Sequence, residues 1–141
     1  MQYDTRMRDW TRLVGETGDL ADIIVAVLSL ASADYNVPKV DLDQFYGVFS
    51  ELHTEFPEII PDLNATTLNG YVYSRDLADA LENALRLGVQ IANPRFQYLE
   101  ISQDRAKTNL ERIGARTEQG FLEALRPVAG TFAKKVRVSL P

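Results

Sequence analysis

Residues Leu20 to Ala33 carry a single charge, Asp22, and are apolar around most of the circumference when wound as a helix. Leu20, Ile23, Ile24, Val27, Leu28 and Ala31 make a stripe at helical spacing, and Val25, Ala26 and Ala33 cover the opposite side. Such a helix has no wet face to turn outward. It has to sit centrally, with other elements packed on more than one side, so the rest of the chain must be arranged around it. It is too short to cross a bilayer, which takes about 20 apolar residues. Glu16 and Asp19 precede it where a signal peptide would carry bases. The expected compartment is therefore the cytoplasm.

Around this helix the chain is punctuated by caps and breakers. Trp10, Leu13 and Val14 suit one helical turn, and Gly15-Glu16-Thr17-Gly18 reads as a break before Asp19, a candidate N-cap. Asn36 and Pro38 end the central helix. Asp41, with Gln44 three positions on, opens a second helix whose inner face is Leu42, Phe45, Phe49, Leu52 and Phe56, with Tyr46 beside it. Pro57 stops it, and Glu58 to Asp62 suit one further short turn. Asn64 to Tyr73 then passes from turn residues into a β-branched and aromatic run, which predicts a short strand.

Ser74 caps a third helix through Leu87, with Leu77, Ala78, Leu81, Ala84 and Leu85 inward and Gly88 closing it. Two alternating runs around Asn93-Pro94-Arg95 predict a β-hairpin over Val89 to Ile101. Ser102 caps a fourth helix with Ala106, Leu110 and Ile113 inward and Gly114 at its end. Thr117 is expected to open a fifth, with Phe121, Leu122, Leu125, Val128, Ala129 and Phe132 on one stripe. Pro127 and Gly130 are expected to kink or divide it. Lys134 to Pro141 alternates basic and apolar residues, as a short strand or a disordered arm would.

At 141 residues the chain is close to the commonest domain size, so these elements are expected to share one core. The prediction is a single, mainly α domain of about five helices with a small β-hairpin. Its parts are a core over 19–101, C-terminal helices over 103–133 and a basic arm over 134–141. The order helix, helix, short strand, helix, hairpin resembles a winged helix-turn-helix domain, with Val89 to Ile101 as the wing. The resemblance is one of topology and spans about residues 19–101. It implies either a DNA reader or a protein-interaction module, since winged helices serve as both.

Charge bears on that choice. Fifteen bases against twenty acids leave a net charge of −5, which disfavours attraction to a polyphosphate over the whole surface. Residues 1–69 carry four bases and twelve acids, whereas residues 70–141 carry eleven bases and eight acids. Either the two halves neutralise each other by packing, or the basic half meets an acidic partner. In a winged helix the third helix would enter the major groove. Its outward positions here are Arg75, Asp76, Asp79, Glu82, Asn83 and Arg86. Arg75, Asn83, Arg86 and Arg95 at the wing tip are the candidate nucleic-acid contacts, but three carboxylates on the same face oppose a phosphate backbone.

Little else in the sequence points to chemistry. The absence of cysteine removes thiolate metal sites, and one histidine, His53, leaves no pair of imidazoles within a chain. The carboxylate pairs Asp19/Asp22, Asp41/Asp43 and Asp76/Asp79 fall near helix N-termini, where the helix dipole accounts for acids. No glycine loop has the spacing that cradles a phosphate. The expectation is a non-catalytic interaction or regulatory protein, without cofactor or metal, that meets another protein or a second copy of itself. The alternative is a winged-helix DNA-binding transcriptional regulator. The candidate interface is Tyr71 and Tyr73, on one face of the predicted strand, together with the basic residues Lys134, Lys135 and Arg137.

Overall fold

The computed structural model of the chain describes residues 20–91 and 98–139. In chain order they form α1 (Leu20–Tyr35), β1 (Lys39–Asp41), α2 (Leu42–Glu55), β2 (Thr66–Leu68), β3 (Tyr71–Tyr73) and α3 (Arg75–Leu87). They continue with β4 (Gln90–Ile91), β5 (Tyr98–Glu100), α4 (Gln103–Arg116) and α5 (Phe121–Ser139). The predicted turn at Trp10, the break before the first helix, the Asp19 cap, the wing tip with Arg95, and Leu140 and Pro141 lie outside the described residues.

Helix α1 is the axis of the molecule. Every residue from Ala21 to Ser32 is buried, and α3, α4 and α5 pack against it. Its two interior serines are satisfied without breaking the apolar shell. Ser32 Oγ donates to Ile101 O at 2.7 Å, and Ser29 Oγ accepts from Asn109 Nδ2 at 3.2 Å. Asn36, at φ 56°, turns the chain out of α1 so that Val37 N returns to Ala31 O at 3.0 Å. From α2, Phe45 and Phe49 meet Phe132 of α5 with ring centroids 6.5 and 6.3 Å apart, and all three rings are fully buried.

The sheet has the order β1-β5-β4, antiparallel throughout. Lys39, Val40 and Asp41 stand opposite Glu100, Leu99 and Tyr98, and Ile91 stands opposite Leu99. With α3 directly before β4, the domain is mainly α and winged-helix-like, and β4–β5 is the predicted wing hairpin. Strand β1 was not expected; it pairs with a segment remote in sequence, and three residues carry no alternation that would announce it.

Capping follows the sequence closely. Asp41 Oδ1 accepts from Asp43 N at 2.8 Å and Gln44 N at 3.4 Å, Ser74 Oγ from Leu77 N at 3.0 Å, and Ser102 Oγ from Arg105 N at 3.2 Å. Ser74 also plays a second part, because its hydroxyl donates to Leu63 O at 2.5 Å and so ties both ends of the intervening segment together. Ser74→Ala removes the cap and leaves a buried carbonyl unpaired. An expected loss of about 2 kcal/mol in urea unfolding follows, with Ser74→Thr largely spared; a loss below about 0.5 kcal/mol would contradict the double role.

Four expectations for the second half of the chain need correction. Thr117 does not open the fifth helix but closes α4, its N and Oγ1 returning to Ile113 O at 3.0 and 2.7 Å. Gly114 is not the end of α4, which runs on to Arg116. Of the kink or division expected at Pro127 and Gly130, the division is absent, since α5 runs unbroken from Phe121 to Ser139. Gly130 is instead where α5 passes Tyr35; a Cβ there would come within 2.8 Å of the Tyr35 hydroxyl. Finally, residues 134–139 are neither strand nor loose arm but the last turns of α5. Val136 is buried there and extends the stripe of Val128, Ala129, Phe132 and Ala133.

Candidate functional site

The segment joining α2 to α3 differs from the single strand expected at Asn64 to Tyr73. It is a hairpin, in which Thr66, Thr67 and Leu68 pair with Tyr73, Val72 and Tyr71. Asn69 and Gly70 make the two-residue turn with φ 53° and 83°, the positive angles that a type I′ turn requires. Asn-Gly between such runs is a strong hairpin signal, and it is the local clue that marks a turn inside the expected strand. The register puts Thr66, Leu68, Tyr71 and Tyr73 on one face.

That face is wet. Leu68 is 71% exposed, Tyr71 60% and Tyr73 50%. Tyr71 and Tyr73 therefore do share a face, as the alternation predicts, and it does not cover the core. A two-stranded ribbon is barely stable by itself, and this one is held at its base. The Ser74–Leu63 hydrogen bond closes it, Asn64 Nδ2 donates to Asp76 Oδ2 at 3.1 Å, and the Tyr73 ring leans on Tyr46 of α2 at 5.8 Å between centroids. Burial, then the neighbouring Tyr73 and the Asp79 carboxylate, hold the Tyr46 phenol above its ordinary value of 10.0. Tyr46 thus stays protonated between the hairpin and α3.

Helix α3 presents the outward face read from its sequence: Arg75, Asp76, Asp79, Glu82, Asn83 and Arg86 are all exposed. Three carboxylates share that face with two guanidiniums, so it carries no cationic ridge.

The basic candidates divide. Lys134 and Arg137 are exposed on α5. Lys135 spans to α2, its Nζ 3.0 Å from Glu55 Oε1 and 3.3 Å from Glu51 Oε2, and these hydrogen bonds, that to Glu55 foremost, raise its pKa. The raised value keeps the pairing at neutral pH and surrenders it only as pH climbs through the strongly alkaline range. Arg126 holds Asp34 at 2.9 Å and Glu123 at 3.1 Å, and Lys39 reaches Glu100 at 4.0 Å. Asp34, Glu51, Glu55 and Lys39 come from the acidic half and their partners Arg126, Lys135 and Glu100 from the other, so part of the charge asymmetry is neutralised inside the molecule. Lys135 and the Tyr71/Tyr73 face contribute to different structures: the lysine joins α5 to α2, and the tyrosines stand on the hairpin.

His53 has a structural occupation. Its Nδ1 lies 2.7 Å from Ile60 O and fastens the turn after α2 to the helix. Among the described residues no three His, Asp or Glu side chains gather as a metal site. No described helix is long and apolar enough to cross a membrane. An open groove of about 320 Å³ lies over the first turn of α4, lined by Ser102, Asp104, Arg105 and Thr108. Ser102 and Thr108 there are engaged in helix hydrogen bonds, to Arg105 N and Asp104 O. Comparison with known proteins finds no match to this chain among protein families, curated proteins or solved structures.

Proposed function

We propose that this chain is a non-catalytic, protein-binding module with a winged-helix frame, acting as a regulatory protein or as a subunit of a larger assembly. The observation that carries this reading is the hairpin face of Leu68, Tyr71 and Tyr73, apolar and aromatic, exposed, and fastened at its base. Tyrosine and leucine presented to water on a fixed platform are what a partner covers, because the apolar area is already displayed and little entropy is lost in ordering it.

The second reading, a winged-helix DNA-binding regulator, has the β1-β5-β4 topology and exposed Arg75, Asn83 and Arg86 in its favour. Two features weigh against it. Asp76, Asp79 and Glu82 accompany those residues, and the hairpin projects beside the start of α3, the end that enters the groove in helix-turn-helix readers.

The two readings separate experimentally. In a fluorescence-polarisation titration with mixed-sequence duplex at low salt, no saturable binding is expected, and Arg86→Glu is expected to change nothing. Tight binding with a steep salt dependence, lost in Arg86→Glu, would establish the second reading instead. A photo-crosslinking residue at position 71, expressed in the native host, is expected to yield a discrete protein adduct that a probe at Asp104 does not.

A further inference from the structure

We infer that the hairpin face and the outer face of α3 form one docking surface for a basic segment of a partner protein, in which cationic side chains alternate with apolar anchors. The inference rests on the protein-binding reading above and adds to it the chemistry of the partner.

Charge and apolarity meet at this place. From Val40 to Arg86 the chain holds nine carboxylates and two cations, Arg75 and Arg86, both exposed on α3. Of the nine, Glu51 and Glu55 are answered by Lys135, on the side of α2 that meets α5. Asp76, Asp79 and Glu82 follow one another at three-residue steps along α3, all exposed. Asp76 is joined to the hairpin base through Asn64 at 3.1 Å. That hydrogen bond, with Ser74 linking the last hairpin strand directly to α3, makes the acidic stripe and the aromatic face adjoining parts of one surface, and Tyr73 rests on Tyr46 beside it.

A partner covering Leu68, Tyr71 and Tyr73 must bring these carboxylates close to its own groups. An acidic or neutral segment would desolvate them without compensation. A segment bearing arginine or lysine would pair with them, and its guanidinium planes would stack on the tyrosine rings. Arg75 and Arg86, at the two ends of the same face, are the local opponents, and they leave three carboxylates against two guanidiniums, a net negative stripe.

The test uses the full chain and a short fluorescein-labelled peptide alternating arginine with leucine and phenylalanine. Peptides with glutamate or serine in place of arginine serve as controls. The basic peptide is expected to bind, more weakly as salt rises, and the controls are not. Asp76→Lys/Asp79→Lys and Leu68→Ser/Tyr71→Ser should each weaken it about tenfold or more, whereas Asp104→Lys on α4 should leave it unchanged. Equal binding of basic and acidic peptides overturns the inference, as does indifference to charge reversal at Asp76 and Asp79. Self-association abolished by the same variants, without peptide binding, would name a second copy as the occupant and overturn it too. The adduct at position 71 tells the two failures apart: a protein adduct without peptide binding removes only the basic chemistry, whereas duplex binding without an adduct removes both readings.

Discussion

Phe132→Ala is expected to cost about 3 to 5 kcal/mol of folding stability, a large part of the roughly 5 to 15 available to a domain of this kind. Phe132 is fully buried on α5 and meets Phe45 and Phe49 of α2 edge-on, at 6.5 and 6.3 Å between centroids. Truncation removes the apolar area and also leaves a space that neighbouring helices border. Phe45 and Phe49, themselves packed at 5.2 Å, cannot follow it without leaving each other. Urea unfolding followed by helical circular dichroism should show the midpoint falling sharply, with Phe132→Leu costing less than about 1.5 kcal/mol. An alanine variant within about 1 kcal/mol of the parent would mean that the aromatic cluster is not the keystone of the α2–α5 contact.

Gly88→Ala is the second large effect, by a different mechanism. Gly88 closes α3 at φ +146°, a conformation that L side chains rarely adopt, and both its N and Val89 N return to Ala84 O, at 3.2 and 3.3 Å. A Cβ there would run into the carboxamide of Asn109, 2.7 Å from Nδ2 and 2.8 Å from Cγ. That carboxamide is buried and committed. Its Nδ2 donates to Gly88 O at 3.3 Å and to Ser29 Oγ at 3.2 Å, linking the end of α3, the centre of α1 and α4. The substitution therefore adds backbone strain of about 1 to 3 kcal/mol and disrupts two buried hydrogen bonds. A total of about 3 to 4 kcal/mol is expected in the same unfolding assay. A double-mutant cycle checks the cause. Asn109→Ala should by itself cost roughly 1 to 2 kcal/mol, and combined with Gly88→Ala the total should fall short of the sum, because the collision is gone. Strict additivity would refute the steric account.

How legible this protein was in its residues depends on the distance over which each signal acts. The helices were plain because their stripes repeat within a few residues: Leu77, Leu81 and Ala84 are buried where the periodicity puts them, and Asp76, Asp79 and Glu82 lie outside. The caps at Asp41, Ser74 and Ser102 were plain for the same reason. At Lys134-Lys135-Val136-Arg137-Val138 the local signal was ambiguous, since alternation suits a strand while Phe132, Ala133 and Val136 also continue a helical stripe. Contact with α1 and α2 resolves it in favour of the helix. Strand β1 was invisible, because three residues acquire strand geometry only by pairing with β5.

What the residues dictated unaided was the central, all-round apolar helix, the capped amphipathic helices about it and the acidic outer face of α3, for burial and capping are decided within a turn or two of chain. The folded arrangement alone decided that Lys135 is consumed by Glu51 and Glu55, that α5 runs on as helix, and that Leu68, Tyr71 and Tyr73 face water rather than the core. Whether an apolar side chain is covered depends on what arrives from elsewhere in the chain, and no pattern of neighbours contains that.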